Sequence, residues 1–344
     1  MIDPVSTPLL ITPLLAFGIS VIVHAVALQV FPRVGLLDFP ERYGLSRSPI
    51  PYPTGILAVA IFVLLFGVLS EFSTDNTSLM AGILILATTS FIDDRAPLPP
   101  VLRFSVQAFV AILLVSGGIR IDAVTNPLPG VLSDASSLVL NSGWALALSA
   151  VFTVVWLLFT INALNWFDGI PGQVSMLSVI AFLTIGFLAV SDRVNQPSLA
   201  LLAFILAGIA LGALLFDFPP PKLLMGDTGA MFFGLMIGVL TISSGGKVAT
   251  AFLVLGVPLI DVLFVIVRRL RSGQAPWKGN ATDQHLHHRL LNKGFSPRQV
   301  ILLTAAIGAA FGITALFLST GGKVIAGVLL FLVMVGLSWY SEKK

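Results

Sequence analysis

Long apolar runs separated by short polar segments are the dominant pattern of this sequence. Crossing the hydrocarbon core of a bilayer as a helix takes about 20 predominantly apolar residues. Eleven runs approach that length, and they lie near residues 7–31, 54–70, 77–92, 100–117, 143–161, 173–190, 198–216, 228–243, 249–267, 299–318 and 323–340. The pattern therefore predicts an all-α polytopic integral membrane protein with about eleven transmembrane helices.

Charged residues are few: of 344 residues, 56% are hydrophobic and 10% are charged. A soluble domain carries about 25% charged residues, so this chain cannot cover a water-exposed surface. Disorder is also excluded, because it requires low hydrophobicity and high net charge. We expect one transmembrane domain over residues 1–344. The chain has no cysteine, which excludes disulfides and cysteine-ligated metal sites.

The distribution of Lys and Arg predicts the orientation, because these residues are enriched in cytoplasmic loops. With the N-terminus outside, 15 of the 19 lie inside. This predicts a cytoplasmic C-terminus and a multi-pass protein of the cytoplasmic (inner) membrane. The same loops explain the net charge of +3, so no nucleic-acid partner is predicted. The cytoplasmic loops are expected at about 32–53, 92–100, 162–172, 217–227 and 268–298.

One outside segment has the pattern of strands. Ile119, Ile121 and Val124 alternate with polar residues, and an Asn-Pro-x-Pro-Gly turn follows at 126–130. Alternation followed by such a turn is typical of two paired strands. We expect a short extracytoplasmic β-hairpin near 119–135.

The first polar cluster, Asp93-Asp94-Arg95, directly follows the third apolar run. Two adjacent carboxylates repel each other unless a cation or a proton lies between them. The pair therefore indicates a cation or phosphate site, and a solvated helix end is the alternative.

The second cluster is Asn162, Asn165 and Asp168, followed by Gly169. A spacing of three places the polar side chains within one arc of a helix. Carboxamide and carboxylate oxygens suit a hard cation or a polar ligand, and glycine lets the backbone approach a ligand closely. The alternative is a polar helix end with a glycine stop.

The third cluster places Asp227 within Gly226-Asp227-Thr228-Gly229, at the start of the eighth run. A helix N-terminus favours phosphates, and a carboxylate there could carry Mg²⁺ to a pyrophosphate. The alternative role for Asp227 is that of a helix N-cap.

The fourth cluster, Asp283-Gln-His285-Leu-His287-His288-Arg289, lies in the long basic loop. A Zn²⁺ site would need a clear fourth ligand, which the cluster lacks. Anion binding by His and Arg is the favoured interpretation, and a solvated basic loop is the alternative. All four clusters fall on the predicted cytoplasmic side, and together they supply the groups for a Mg²⁺-assisted phosphate reaction.

These four motifs, in this order, resemble glycosyltransferase family 4. This is the superfamily of polyprenyl-phosphate N-acetylhexosamine-1-phosphate transferases, which includes the MraY and WecA enzymes. The resemblance runs from about Gly35 to Arg298. The His-x-His-His form and the eleven-span map look more like the WecA branch.

The resemblance implies a Mg²⁺-dependent phosphoglycosyltransferase, with Mn²⁺ as an alternative metal. A polyprenyl phosphate such as undecaprenyl phosphate attacks a UDP-N-acetylhexosamine, most simply UDP-N-acetylglucosamine, on the cytoplasmic side. UMP leaves, and the lipid-linked sugar starts a cell-envelope glycan. By resemblance, Asp227 and Asn165 hold the metal, and Asp93, with Asp94 beside it, orients or deprotonates the lipid phosphate. Asp168 is a further catalytic candidate.

The remaining candidates bind substrate by resemblance, and they are Asn162, Gly169, His285, His287, His288 and Arg289. Three features depart from the family pattern: Pro171 replaces an Asp near the nucleobase, Ala230 replaces a Ser, and the first loop has Tyr43-Gly44-Leu45 in place of a short His-containing stretch. Three alternatives stay open: the MraY reaction on UDP-MurNAc-pentapeptide, a transferase for a modified UDP-sugar, and a membrane transporter or flippase. A homodimer is also left open.

Overall fold

The computed structural model describes residues 6–43, 46–69, 73–126, 137–140, 142–244, 248–274 and 284–342. Almost all of this part of the chain is helical. The helices are α1 (Ser6–Arg33), α2 (Gly55–Leu69), α3 (Thr74–Arg95), α4 (Pro100–Ser116), α5 (Trp144–Phe167), α6 (Gln173–Val190), α7 (Pro197–Asp217), α8 (Gly226–Ser243), α9 (Val248–Val254), α10 (Gly256–Arg271), α11 (Leu286–Asn292), α12 (Pro297–Phe317) and α13 (Thr320–Glu342).

Every predicted apolar run is helical in the structure. Within the described residues, eight helices are long and apolar enough to cross a membrane, and α9 with α10 would make a ninth. The α2 and α4 helices are apolar but have only 15 and 17 residues. The helical membrane class is confirmed, and the count of eleven spans stays a prediction.

The predicted span 249–267 is not one straight helix. The chain bends by 82° between α9 and α10. The break falls at Leu255 and not at Pro258, which lies in the first turn of α10, where proline is tolerated. The absence of a side chain at Gly256 lets the bend pack closely against α13, because a Cβ there would lie 2.0 Å from Leu330 Cδ2.

Two three-residue strands, β1 (Ala123–Thr125) and β2 (Ser137–Val139), pair antiparallel. The second strand lies beyond the predicted range 119–135. The connection at 127–136, which includes most of the predicted turn, falls outside the described residues. A hairpin therefore stays a prediction here.

The predicted loops are shorter than expected, because helices extend into them. The α5 helix continues through Asn162 and Asn165 to Phe167, so that only 168–172 form a connection. In the long basic segment, α10 continues to Arg271 and α11 adds two turns. Gly44 and Leu45 of the first predicted loop, and Asp283 of the basic segment, lie outside the described residues.

The α8 helix lies at the centre of the molecule, with almost every residue buried. Two of its glycines, Gly234 and Gly238, let it approach α5 closely. A Cβ at Gly234 would lie 2.7 Å from the Thr160 carbonyl oxygen, and one at Gly238 would lie 2.6 Å from Thr160 Oγ1. Small residues at helix crossings allow close backbone contact in membranes. This packing brings the last turn of α5 beside the first turn of α8.

The start of α2 meets the same place. A Cβ at Gly55 would lie only 2.2 Å from the Gly229 backbone nitrogen, so the two helix ends touch through their backbones. The last turn of α3 reaches the same end of α8 through Asp94, whose carboxylate accepts from Asp227 N at 2.9 Å. Four helix ends, from α2, α3, α5 and α8, therefore converge on one small region.

Candidate functional site

Asp94 holds the beginning of α8. Its Oδ1 accepts hydrogen bonds from the Tyr52 hydroxyl at 2.6 Å and from the Asp227 backbone nitrogen. Its Oδ2 accepts from the Thr228 backbone nitrogen at 3.0 Å and from the Thr228 hydroxyl. A carboxylate at a helix N-terminus satisfies otherwise unpaired N–H groups and complements the helix dipole. Asp94 therefore fixes the first turn of α8, which carries Asp227.

Asp93 points to a different neighbour. Its Oδ1 accepts from the Leu98 backbone nitrogen at 2.7 Å, and its Oδ2 accepts from Arg103 at 2.9 Å. The same Arg103 nitrogen lies 3.5 Å from Asp227 Oδ2. Arg103 thus stands between two carboxylates that come from different helices. Asp93 is buried, whereas Arg103 and Asp227 are each about one third exposed.

Asn165 and Asp168 complete an acidic cluster around Asp227. The Asn165 amide faces the Asp227 carboxylate and interacts with it. The two groups do not reach hydrogen-bonding geometry, and Asn165 Nδ2 is buried without a partner. Burial raises the pKa of Asp168 well above its ordinary value, and the charges of Asp227, Asp217 and Asp94 raise it further. The cluster therefore favours an added positive charge.

Asn162 lies one turn deeper and outside this cluster. Its Nδ2 donates to Gln107 Oε1 at 2.7 Å and to the Leu158 carbonyl oxygen at 2.8 Å. Gln107 is buried on α4. Asn162 thus links α5 to α4 through these hydrogen bonds. It forms no hydrogen bond with the Asp227 carboxylate.

Gly169 is in direct contact with residues 285–289, which we call the histidine segment. A Cβ at position 169 would lie 1.9 Å from His287 Nε2 and 2.6 Å from its Cδ2. The Phe167 ring meets the His287 ring edge-on at 5.9 Å. The absence of a side chain at Gly169 therefore lets the imidazole approach the backbone just after Asp168.

Gly169→Ala should push His287 away from this position. We expect membrane activity to fall at least about 10-fold, the scale lost when a supporting group at an active site is displaced. Gly67→Ala is the matched control, because a Cβ at Gly67 meets no atom within 4 Å. Equal activity of the two variants would show that the close contact at Gly169 is not needed.

His287 is a candidate for binding substrate through a neutral imidazole. It is almost fully buried, and its Nδ1 has no hydrogen-bond partner. Burial lowers the pKa of His287 well below its ordinary value, and the neighbouring His288 and His285 lower it further. At neutral pH His287 therefore offers a hydrogen bond and not a positive charge. The His288 ring lies beside it, at 4.3 Å between centroids.

The two ends of the histidine segment are held by other helices. His285 Nδ1 lies 2.9 Å from Asp261 Oδ2, and the Leu286 backbone nitrogen donates to Asp261 Oδ1 at 2.9 Å. Arg289 points the other way, where it donates to Glu342 at 2.8 Å and contacts Ser338 on α13. The structure does not bring Arg289 to the acidic cluster, and it links α11 to α13 instead.

A metal at this end would depend on few protein ligands. Among the described residues, no group of three or more His, Asp or Glu side chains is arranged to hold a metal ion. Mg²⁺ is typically held by one or two carboxylates together with substrate phosphates, and it accepts only hard oxygen donors. Asp227 offers carboxylate oxygens and Asn165 offers its amide oxygen, so both fit that requirement. The buried atom without a partner is Asn165 Nδ2, an N–H donor that matches an acceptor such as a phosphate oxygen and not the metal itself.

A second buried polar group lies behind this cluster. Gln173 Nε2 and Oε1 and Asp217 Oδ1 are buried without partners, while Asp217 Oδ2 accepts from the Ser175 hydroxyl. Gly172, next to Pro171, lies against the Asp217 carbonyl oxygen, because a Cβ there would be 3.3 Å from it. This group borders the position where the sequence departs from the family pattern.

Sequence reasoning missed Arg103, Tyr52 and Thr228 as residues of the site. In the sequence pattern Arg103 counts only among the 15 Lys and Arg predicted to lie inside, although it stands ten positions after Asp93. A basic residue on the helix that follows an acidic pair is a detectable signal. Tyr52 carries no comparable signal, because its contact with Asp94 joins residues 42 positions apart.

Residues 76–245 match the family model described as glycosyl transferase family 4. A probable undecaprenyl-phosphate N-acetylglucosaminyl 1-phosphate transferase of Bacillus subtilis (strain 168) is 29% identical over 93% of this chain and 88% of its own length. Undecaprenyl-phosphate alpha-N-acetylglucosaminyl 1-phosphate transferase of Escherichia coli (strain K12) is 30% identical, over 84% and 79%.

A third relative is decaprenyl-phosphate N-acetylglucosaminephosphotransferase of Mycolicibacterium smegmatis (strain ATCC 700084 / mc(2)155). It is 32% identical over 79% of this chain and 72% of its own length. These three similarities extend over most of both sequences, and they confirm the resemblance drawn from the motifs.

Proposed function

We propose that this chain, which belongs to glycosyl transferase family 4, transfers N-acetylglucosamine-1-phosphate from UDP-N-acetylglucosamine to a polyprenyl phosphate and releases UMP. The observation that carries the proposal is the convergence of Asp93 on α3, Arg103 on α4, Asp168 after α5 and Asp227 on α8. The names of the relatives support the sugar and the lipid.

Mg²⁺ fits the proposed site through Asp227 and Asn165, with Mn²⁺ as an alternative. When bound, the metal would neutralise the pyrophosphate and stabilise charge on the departing UMP. Asp168, beside them, has a pKa raised by burial and by neighbouring carboxylates, so a bound cation would favour its ionised form. Phosphoryl transfer depends mainly on positioning and charge neutralisation, and this set of residues supplies both.

Arg103 has the geometry to bind the phosphate of the lipid. Asp93 aligns it from one side, and Asp227 lies 3.5 Å away on the other. A phosphate monoester has a second pKa near 6 and is largely ionised at neutral pH. The lipid phosphate therefore needs little help from a general base, and in this proposal Asp93 orients Arg103. Guanidinium groups bind phosphate in a planar, two-pronged geometry.

His287 and His288 would bind the sugar-pyrophosphate from the other side of Gly169. The neutral His287 imidazole can donate one hydrogen bond without adding charge. His285 is positioned by Asp261, so it would orient its neighbours. Arg289 has no part in this proposal, because it donates a hydrogen bond to Glu342 of α13.

The direct test is release of UMP by membranes that contain the protein. UDP-N-acetylglucosamine, UDP-MurNAc-pentapeptide and other UDP-sugars would be supplied in turn, and the lipid product would be identified by mass. We expect a polyprenyl-pyrophosphate N-acetylglucosamine product, with activity lost in EDTA and restored by Mg²⁺. A transporter would release no UMP, and a pentapeptide-bearing product would indicate the MraY reaction. Full activity in EDTA would contradict the metal site.

The orientation gives a separate prediction. Because the chain has no cysteine, one introduced cysteine can be labelled alone. Ser272→Cys, in the basic segment after α10, should resist an impermeant thiol reagent in intact cells and react after the membrane is opened. Ser319→Cys, between α12 and α13, is the matched control and should react in intact cells. The reverse pattern would place the active end outside.

A further inference from the structure

A large groove lies at the far end of the molecule from the acidic cluster. Its volume is about 940 Å³, and its lining comes from α6, α9, α13 and β1 and from the loops that follow α6 and α12. The α13 helix has 23 residues, so its ends are roughly 33 Å apart at ~1.5 Å per residue. Lys323 at one end lines the groove, whereas Glu342 at the other end binds Arg289 of the histidine segment. The groove is therefore separate from the candidate active site.

The wall of the groove is apolar and faces outwards from the side of the helix bundle. Leu188, Phe252, Val324, Val328 and Phe331 contribute to it. Val324, Val328 and Phe331 are 48%, 56% and 46% exposed. In a membrane-spanning helix, such exposed apolar side chains contact lipid chains and not water. The groove therefore opens onto the hydrocarbon that surrounds the protein.

The rim of the groove carries positive charge. Arg193 is fixed there by hydrogen bonds to the carbonyl oxygens of Leu316, Phe317 and Leu318, each at 3.1 Å. Lys323 Nζ donates to the Thr250 hydroxyl at 2.7 Å. The described residues that line the groove include these two basic side chains and no acidic one. The first turn of α13 also lines it, and a helix N-terminus favours anions.

We propose that this groove binds an anionic glycerophospholipid, with its phosphate between Lys323 and Arg193 and its acyl chains on the apolar wall. An apolar wall below a basic rim is complementary to an amphiphile with a negative head. Glycerophospholipids are the abundant molecules of this kind in a bilayer, so mass action favours them as occupant. By the predicted orientation the lipid would belong to the outer leaflet.

The test uses the full-length purified protein in detergent and measures its melting temperature. Dioleoylphosphatidylglycerol should raise the melting temperature of the unaltered protein by about 2–4 °C, as expected for a ligand bound to the folded state. Dioleoylphosphatidylcholine should raise it much less. Equal effects of the two lipids would overturn the proposal.

Two variants locate the effect. Lys323→Gln should lose most of the phosphatidylglycerol response, and Lys323→Arg should keep it. The control is Arg120→Gln, which removes a charge from an exposed pair with Asp122 and should respond normally.

The second test variant is Gly327→Leu, which should fill the groove, since a Cβ there meets only Phe252 Cε1 at 4.0 Å. Gly336→Leu is its control on the same helix, because a Cβ there meets no atom within 4 Å.

The variants also give the outcomes that contradict the proposal. An undiminished response in both Lys323→Gln and Gly327→Leu would overturn it, whatever the stability of each variant alone. Undecaprenyl phosphate is the third probe. A response to it through Lys323 without any response to phosphatidylglycerol would show that the occupant is a polyprenyl phosphate, and the phospholipid proposal would be wrong.

Discussion

Asp227→Asn should lower UMP release by about 100-fold or more, because loss of an outer-shell partner alone costs ~10–100-fold at metal sites. The substitution keeps the shape of the side chain and removes its charge. Asp227 lies beside Asn165 and 3.5 Å from Arg103, so the charge that would hold a cation in the acidic cluster is lost. The measurement is UMP release at increasing Mg²⁺, which should recover part of the activity if only metal affinity has fallen.

The control for this variant is Asp192→Asn, which removes an exposed carboxylate from the loop between α6 and α7. It should leave the activity unchanged. Asp93→Asn provides the comparison within the site. It should weaken the alignment of Arg103 and lower kcat, with the Mg²⁺ requirement nearly unchanged. Equal loss of Mg²⁺ affinity in both variants would make Asp93 part of the metal site, and normal activity of Asp227→Asn would overturn the proposed mechanism.

Asp94→Asn is expected to have the second largest effect, although Asp94 is a positioning residue in the structure. Its two oxygens accept from Tyr52, Asp227 N and both donors of Thr228. Asparagine offers one oxygen, and its NH₂ group would face N–H donors. Each hydrogen bond to a charged group contributes about 1.5–3 kcal/mol. We expect a lower melting temperature, and activity reduced by about 10-fold or more because Asp227 is displaced.

Tyr52→Phe separates stability from catalysis at this position. It removes one of the four hydrogen bonds and leaves the two bonds to the α8 backbone intact. We expect it to lower the melting temperature less than Asp94→Asn and to keep most of the activity. A positioning role also predicts that Asp94→Asn raises the Mg²⁺ concentration needed for half-maximal activity. If Asp94→Asn melts normally and is inactive at every Mg²⁺ concentration, Asp94 acts directly on the substrate.

The sequence by itself determined the membrane class and the end of the molecule where the polar residues collect. Apolar runs of membrane-spanning length have few alternatives to helices, because lipid offers no partner for an unpaired backbone group. Asp93, Asn165 and Asp227 stand at the ends of such runs, so their location at helix ends followed from the pattern alone. Their family motifs then predicted the chemistry that the relatives support.

Only the tertiary structure decided what each polar side chain contacts. Adjacent residues on a helix point about 100° apart, so Asp93 binds Arg103 whereas Asp94 binds the start of α8. The pattern of a single run cannot show this division, because it depends on which helices are neighbours. The same reason explains why Arg289 binds Glu342, 53 positions away, and not the acidic cluster. Apolar runs fix the positions of helices along the chain, but packing between distant segments fixes the partners at their ends.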